Sequence, residues 1–480
     1  MTPTELLDLD ATELSRRIAR RELSCQEVMA ASLERIERLN PQFNAIVSLR
    51  ERGPLLAEAA AHDAMLARGE RLGWMHGFPL AVKDLSPARG LPTIFGSPAM
   101  PRAPSAVDAL FVERMKRAGA IVIGKTNTPE FGLGSHTYNP VFGTTRNAYD
   151  PSKTAGGSSG GAAVALALRM LPVADGSDMG GSLRNPAAYN NIVGFRPSRG
   201  RVPAVPADDL FFQQLGCEGP MGRSVEDVAR LLSVMSGWDD RAPLALSDTL
   251  PDADASDPIG VMHGKRIGWL GSIWPDLPME SGILELCEAA LKQLEGMGCA
   301  VEPCTLDFPR QQSWDAWLRL RQLLVGGKLA PLYADARSRA LLKPEAVWEI
   351  EQGLALTAQQ IYQASVARSA LYQAFRELFL RYDYVIAPSA QVFPFDASID
   401  WPCSIGDTAM DSYHRWMEIV TPFTLAGVPV VSMPIGFSAG GLPMGMQMAG
   451  PVNQDLPVLA LARAYERASG WSKRRRPPGL

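Results

Sequence analysis

Two blocks rich in glycine and serine hold the residues best suited to chemistry. The first is Gly156-Gly157-Ser158-Ser159-Gly160-Gly161, and the second runs Asp175-Gly176-Ser177-Asp178-Met179-Gly180-Gly181-Ser182-Leu183-Arg184-Asn185-Pro186. Serines among glycines suit nucleophilic acyl transfer. Glycine allows backbone N–H groups to converge and takes up dihedrals that other residues avoid, which is what stabilising an oxyanion requires. A Gly/Ser run alone is more often a flexible loop. Here Ala162-Ala163-Val164-Ala165-Leu166-Ala167-Leu168 follows at once and predicts a helix that anchors the first block.

A nucleophilic serine needs a base, and histidine is the usual choice. The chain has His62, His76, His136, His263 and His414, and none lies in either block. The base is therefore sought among carboxylates or a lysine. Lys83 closes the run Phe78-Pro79-Leu80-Ala81-Val82, which predicts a buried strand, and burial lowers an amine's pKa. Moving a lysine from about 10.4 to near 7 takes about 4 kcal/mol of desolvation and neighbouring charge. The other reading of Lys83 is a structural ion pair with Asp84. A further string, Gly119-Ala120-Ile121-Val122-Ile123-Gly124-Lys125-Thr126, has the spacing of a phosphate loop and is rejected as one. Its spacers are strand formers, and Asn127-Thr128-Pro129 disfavours the helix that must follow.

The elements that must position these residues alternate between helix and strand. Ser24-Cys25-Gln26-Glu27 is a capping box opening a helix that Asn40-Pro41 is expected to end, and Ser105 is expected to cap a helix reaching Ala118. Ala120–Ile123, Arg266–Leu270, Ala300–Leu306, Tyr384–Pro388, Val430–Met433 and Gly445–Met448 read as strands. Helices are expected from Ser224, over about Gly282–Glu295, through most of 312–382 with a capping box at Thr357, and from about Asp455. The class is α/β. With no internal repeat and no linker, one large domain over 1–480 is the simplest reading. It divides into an N-terminal helical segment (1–70), a catalytic core (75–235), a more variable region (236–400), a C-terminal core and pocket wall (401–472) and a basic tail (473–480).

Composition limits the function classes. The chain has 480 residues with 43 glycines and 38 prolines. Together these are about 17% of the chain, above average usage but well short of low-complexity sequence, so disorder and collagen are excluded. A net charge of −4 gives no general attraction to nucleic acid or anionic membrane. Lys473-Arg474-Arg475-Arg476 is the local exception and reads as a solvated tail, with a docking element as the alternative. The charge-free stretch from Ile419 to Gln454 is interrupted by Pro422, Pro429, Pro434, Pro443 and Pro451, so it reads as buried strands and loops and not as a membrane span. Met1–Leu14 lacks the pattern of a signal peptide. Six scattered cysteines, with no histidines near Cys299 and Cys304 to complete a zinc site, are expected as reduced thiols in a cytoplasmic protein.

The Gly156–Arg201 segment resembles the signature of the amidase signature family. Ala81-Val82-Lys83-Asp84, Gly124-Lys125-Thr126-Asn127 and Leu425-Ala426-Gly427-Val428-Pro429 also sit where that family has similar strings. Ser158 and Ser182 are 24 residues apart, the separation of the family's two catalytic serines. The resemblance covers nearly the whole chain. It implies a central mixed, twisted β-sheet covered on both faces by helices, with Ser182 as nucleophile, Ser158 as bridging serine after a cis Gly157–Ser158 peptide, and Lys83 as base. It also implies an oxyanion hole from the N–H groups of Met179, Gly180, Gly181 and Ser182, with Ser159, Asp178 and Arg184 bracing the loop. No metal or cofactor is implied.

The activity implied is hydrolysis of a small-molecule carboxamide through a serine acyl-enzyme, without nucleic acid or membrane as partner. A homodimer is compatible with a chain of this size. The alternative is the glutaminase subunit of a tRNA-dependent amidotransferase, which needs charged groups to hold glutamine and passes ammonia to a partner subunit. The charge-free 419–454 stretch and Trp314, Trp317 and Trp401 suggest a more apolar pocket. Two departures from the family pattern stand out: Tyr189-Asn190-Asn191 where Phe-Cys-Gly is common, and Gly194-Phe195-Arg196-Pro197-Ser198 for Gly-Leu-Lys-Pro-Thr. The string from Ser177 to Pro186 resembles branches acting on cyclic or aryl amides.

Overall fold

The computed structural model describes residues 1–248, 250 and 262–480. The strands are β1 (Ile46–Val47), β2 (Pro79–Lys83), β3 (Ile121–Thr126), β4 (Val173–Asp178), β5 (Val193–Arg196), β6 (Cys217–Gly222), β7 (Arg266–Trp269), β8 (Ala300–Pro303), β9 (Tyr384–Pro388), β10 (Ser404–Ile405), β11 (Thr408–Ala409), β12 (Val430–Phe437) and β13 (Pro443–Ala449). An eight-stranded mixed sheet is ordered β4-β6-β5-β12-β13-β9-β7-β8. Neighbours are antiparallel from β4 to β9, and the β9-β7-β8 edge is parallel. A smaller sheet, β1-β3-β2, is joined to it through a side chain: the Lys83 backbone N–H of β2 donates to Asp175 Oδ2 of β4 at 3.1 Å.

The charge-free stretch builds the centre of the large sheet. β12 and β13 are buried almost throughout, as near-continuous apolar strands are when helices cover the sheet. Each of its prolines occupies a tolerated position: Pro422 in the first turn of the helix Thr421–Ala426, Pro429 just before β12, Pro443 at the start of β13 and Pro451 after its end. Pro434 sits at a shift in the β12–β13 register, where a proline can be accommodated. No helix among the described residues is long and apolar enough to cross a membrane. One cluster of buried apolar side chains extends from Leu6 to Tyr465.

Several local expectations hold and two are corrected. The capping boxes at Ser24 and Thr357 form, and Ser224 accepts from the Asp227 N–H to open the helix Val225–Met235. The phosphate-loop look-alike is strand β3. The helix capped by Ser24 does not stop at Asn40-Pro41. It runs Cys25–Phe43, because its last turn tolerates Pro41 and Asn44 then closes it in the left-handed conformation, its N–H donating to the Asn40 carbonyl at 2.7 Å. The helix expected from Ser105 starts at Leu110; Ser105 Oγ is used in its own turn, donating to the Val107 carbonyl at 2.8 Å.

The basic tail is solvent-exposed, as expected, and is tethered at the surface by ion pairs. Lys473 pairs with Asp10 and Arg476 with Asp8, while Arg475 lies 4.6 Å from the centroid of the Phe437 ring.

Gly194 of β5 packs tightly against the short helix Arg184–Tyr189 and its N-cap Leu183. A Cβ there would sit 2.2 Å from the Leu183 carbonyl oxygen and 2.8 Å from Ala187 Cβ. Gly194→Ala is therefore expected to destabilise the protein by about 1–3 kcal/mol through overpacking, read as a lower midpoint in urea denaturation.

Candidate active site

Lys83 ends a strand whose five residues are all buried, and its side chain is fully enclosed. Nζ is within hydrogen-bond distance of Ser158 Oγ at 2.8 Å, Ser159 Oγ at 2.9 Å and Ser177 Oγ at 2.9 Å, with the Ser177 carbonyl farther off at 3.5 Å. The ion pair with Asp84 is not formed. Asp84 instead faces Lys125, 4.0 Å away, and accepts from the Ile94 and Gly96 N–H groups. Burial pushes the Lys83 pKa down to about 8, against the pull of the Glu218, Asp175 and Asp178 carboxylates.

The two serine blocks converge on this lysine. The Gly157–Ser158 peptide is cis, as the resemblance implies. Its loop is tied down by Ser135 Oγ donating to the Gly157 carbonyl at 2.5 Å and Thr137 Oγ1 to the Gly156 carbonyl at 2.8 Å. Ser158 and Ser182 border one cavity of about 210 Å³. Ser182 Oγ makes no hydrogen bond among the described residues, so the Ser158–Ser182 link is open in this arrangement.

The turn that carries Ser182 is organised by a buried carboxylate. Asp178 accepts from the Gly181 N–H at 2.9 Å, the Leu183 N–H at 3.1 Å, and Arg184 Nε and Nη2 at 3.0 Å each. Arg196 Nη1 donates to the Asp178 carbonyl and lies 3.4 Å from its carboxylate. Burial alone would raise the Asp178 pKa; the two guanidiniums outweigh it and hold the carboxyl well below its usual range. Arg184 continues to the Val420 carbonyl, Gln447 Oε1 and Thr424 Oγ1.

This network changes one expectation. The Gly181 N–H is committed to Asp178, so the N–H groups free of an acceptor among the described residues are those of Met179, Gly180 and Ser182. Gly181 itself adopts φ +96°, and a Cβ there would lie 2.7 Å from Val420 Cγ2.

The cavity wall also differs from the expectation. The 419–454 stretch and Trp314, Trp317 and Trp401 do not line it. Its apolar side comes from Leu85, Phe95, Phe131, the helix Arg310–Ala334 and, from the 401–472 region, Met417, and Glu218, Arg321 and Lys328 bring charge to it. Arg321 is engaged by Glu349 Oε1 at 2.7 Å and the Tyr413 hydroxyl at 2.8 Å. Lys328 has no ion-pair partner among the described residues and lies 5.2 Å from the Phe95 ring centroid. None of the five histidines borders the cavity.

Three residues escaped the sequence reading. Ser177 and Asp175 lie two apart on β4 and so share a face, and both reach Lys83. That alternation was a usable signal. Glu218 stands directly opposite Ser177 in the β4–β6 ladder, a register that the sequence does not carry. Burial raises the Glu218 pKa while Lys83 opposes it, and its Oε2 has no hydrogen-bond partner.

The family-pattern departures have structural explanations. Asn191 takes the left-handed conformation, φ +53°, which glycine usually supplies and asparagine tolerates. Asn190 Nδ2 donates to the Ala155 and Pro186 carbonyls at 2.8 and 2.9 Å. Arg196, in the place of the common lysine, completes the Asp178 cluster.

A mixed-sheet α/β fold with a buried lysine in contact with a serine from a glycine-rich loop defines a recognisable class. The Amidase family model matches residues 27–459. An acylamidase of Rhodococcus erythropolis is 30% identical over 486 residues, covering 99% of this chain and 98% of the relative. A glutamyl-tRNA(Gln) amidotransferase subunit of Acidothermus cellulolyticus is 33% identical over 500 residues, covering 97% of this chain and 95% of the relative. The crystal structure of a bacterial aryl acylamidase of the amidase signature family superposes with a TM-score of 0.90 at 30% identity, covering 97% of each chain. The chain belongs to the amidase family and is an amidase signature enzyme, a hydrolase acting on carbon–nitrogen bonds.

Asp178→Asn leaves two buried guanidiniums without their countercharge. It is expected to cost about 3–5 kcal/mol of stability, as breaking buried ion pairs does, measured by chemical denaturation at neutral pH. Because the folded pKa of Asp178 is depressed, its stabilisation is present at neutral pH and lost as pH falls through that folded value. The gap between wild type and variant is expected to narrow on acidification.

Proposed function

We propose that this protein is a free-standing amidase that hydrolyses a small carboxamide through an acyl-enzyme on Ser182, with Ser158 as relay and Lys83 as base. The observation that carries this reading is the environment of Lys83. A buried lysine surrounded by three hydroxyls and no carboxylate within ion-pair distance suits the neutral amine. A neutral amine has two N–H donors and one lone pair. With the donors on Ser159 and Ser177, the lone pair accepts the Ser158 hydroxyl proton, and Ser158 is then able to take a proton from Ser182.

The chemistry follows these roles. Ser182 turns its hydroxyl toward Ser158 across their shared cavity, Oγ bonds to the amide carbonyl carbon, and its proton moves to Ser158 as the Ser158 proton moves to Lys83. The N–H groups of Met179, Gly180 and Ser182 receive the oxyanion. On collapse the C–N bond breaks, and a proton returns from Lys83 through Ser158 to the leaving nitrogen. Water repeats the path to release the carboxylic acid. Ser159 holds Lys83, and Asp178 and Arg184 hold the turn. The cavity, about 210 Å³, is smaller than the usual ligand pocket of about 300–1,000 Å³ and has aromatic and aliphatic walls, which suits a compact acyl or aryl group.

A second reading, ammonia supply from glutamine to a partner subunit, draws on Glu218 and Lys328 at the cavity, which are suited to an α-amino and an α-carboxylate group. A panel of aliphatic, aryl, cyclic and peptidyl amides plus glutamine, scored by amine or ammonia release, separates the two. Hydrolysis of the simple amides by the purified chain supports the amidase, and turnover of glutamine alone, dependent on an added partner, replaces it.

Ser182→Ala and Lys83→Ala are each expected to lower kcat by at least about 10³-fold with the fold retained by circular dichroism. Substantial residual turnover in either removes the assignment.

Activity should rise with pH as Lys83 loses its proton, with a limb near pH 8. The Glu218 carboxylate favours the charged lysine, so Glu218→Gln should move that limb to lower pH, read from the kcat/KM profile.

A further inference from the structure

The turn carrying the free N–H groups is held from behind by one face of the helix Arg310–Ala334. Trp317 and Arg321, one turn apart on it, both reach Met179. Trp317 Nε1–H donates to the Met179 carbonyl at 3.2 Å, and Arg321 Nη1 lies 3.5 Å from Met179 Sδ. In a trans peptide the C=O and the following N–H point in opposite directions. Holding the Met179 carbonyl against the indole therefore turns the Gly180 N–H the other way. Gly180 borders the cavity while Trp317 does not, and the Gly180 N–H has no acceptor among the described residues.

The indole is firmly placed. Trp317 is fully buried, with Trp314 and His414 rings each at 5.0 Å and the Arg321 guanidinium at 5.3 Å. Arg321 is in turn fastened to Glu349 and Tyr413. The fit to the turn is close enough to demand glycine: a Cβ on residue 180 would lie 2.9 Å from Trp317 Cζ2.

We infer that Trp317 is a positioning residue for amide hydrolysis. By fixing the Met179–Gly180 peptide it keeps the Gly180 N–H aimed at the substrate carbonyl oxygen before substrate arrives, and it prevents a peptide flip that would present a carbonyl dipole to the oxyanion. This rests on Ser182 being the nucleophile.

The test uses p-nitrophenyl acetate, with acetylation of Ser182 followed by mass spectrometry and both acylation and deacylation rates measured. Losing an oxyanion donor outright costs about 10²–10³ in rate, and a donor left in place but unfixed should cost less, about tenfold. Trp317→Phe is expected to slow both steps about tenfold with KM little changed. Because that substitution also removes volume, replacing Trp317 with β-(3-benzothienyl)alanine, which keeps the bicyclic shape and lacks only the N–H, carries the decision if the phenylalanine variant fails to fold. Wild-type rates in the benzothienyl variant, or a rise in KM alone, overturn the role of Trp317 while Ser182 acetylation in wild type leaves the amidase reading standing. Absence of acetylation at wild-type Ser182 overturns both.

Discussion

Everything at the centre of this molecule is arranged around one buried carboxylate. Asp178 ends a sheet strand, and its two oxygens gather backbone N–H groups from the turn that follows together with guanidinium groups from Arg184 and Arg196. A carboxylate this deeply buried would be costly if unpaired, and its pairing fixes the path of Met179 to Leu183. Through Arg184 the same ion reaches the helix Thr421–Ala426 and strand β13, so the turn is held by the core and not merely attached to it.

Around that fixed point the structure separates two buried lysines. Lys125 faces Asp84 and is occupied by the Ser86 carbonyl and Thr93 hydroxyl, whereas Lys83 is left among hydroxyls. Both are pushed by burial to about 8, yet only Lys83 has a serine contact bordering a cavity. The distinction between a structural and a reactive amine thus comes from what each one touches and not from how far its pKa moves.

Much of this was legible in the sequence because it depends on local chemistry. The serine blocks, the apolar run before Lys83, the lack of a suitably placed histidine and the prolines of 419–454 each carry their meaning within a few residues. What stayed hidden depends on pairings between distant segments. Glu218 enters through strand register, and Trp317 through a helix laid behind the turn. The ion pairs of the exposed basic tail stayed hidden for the same reason: its acidic partners, Asp8 and Asp10, lie at the other end of the chain.

The cluster at Asp178 is unevenly charged, with two guanidiniums on one carboxylate. Within that cluster the guanidiniums outnumber the carboxylate, and they are buried where mobile ions do not penetrate and screening is weak. Any negative charge that develops above the turn sits in a standing electric potential that bulk salt scarcely alters. The field belongs to the folded scaffold and does not have to be assembled when a substrate binds.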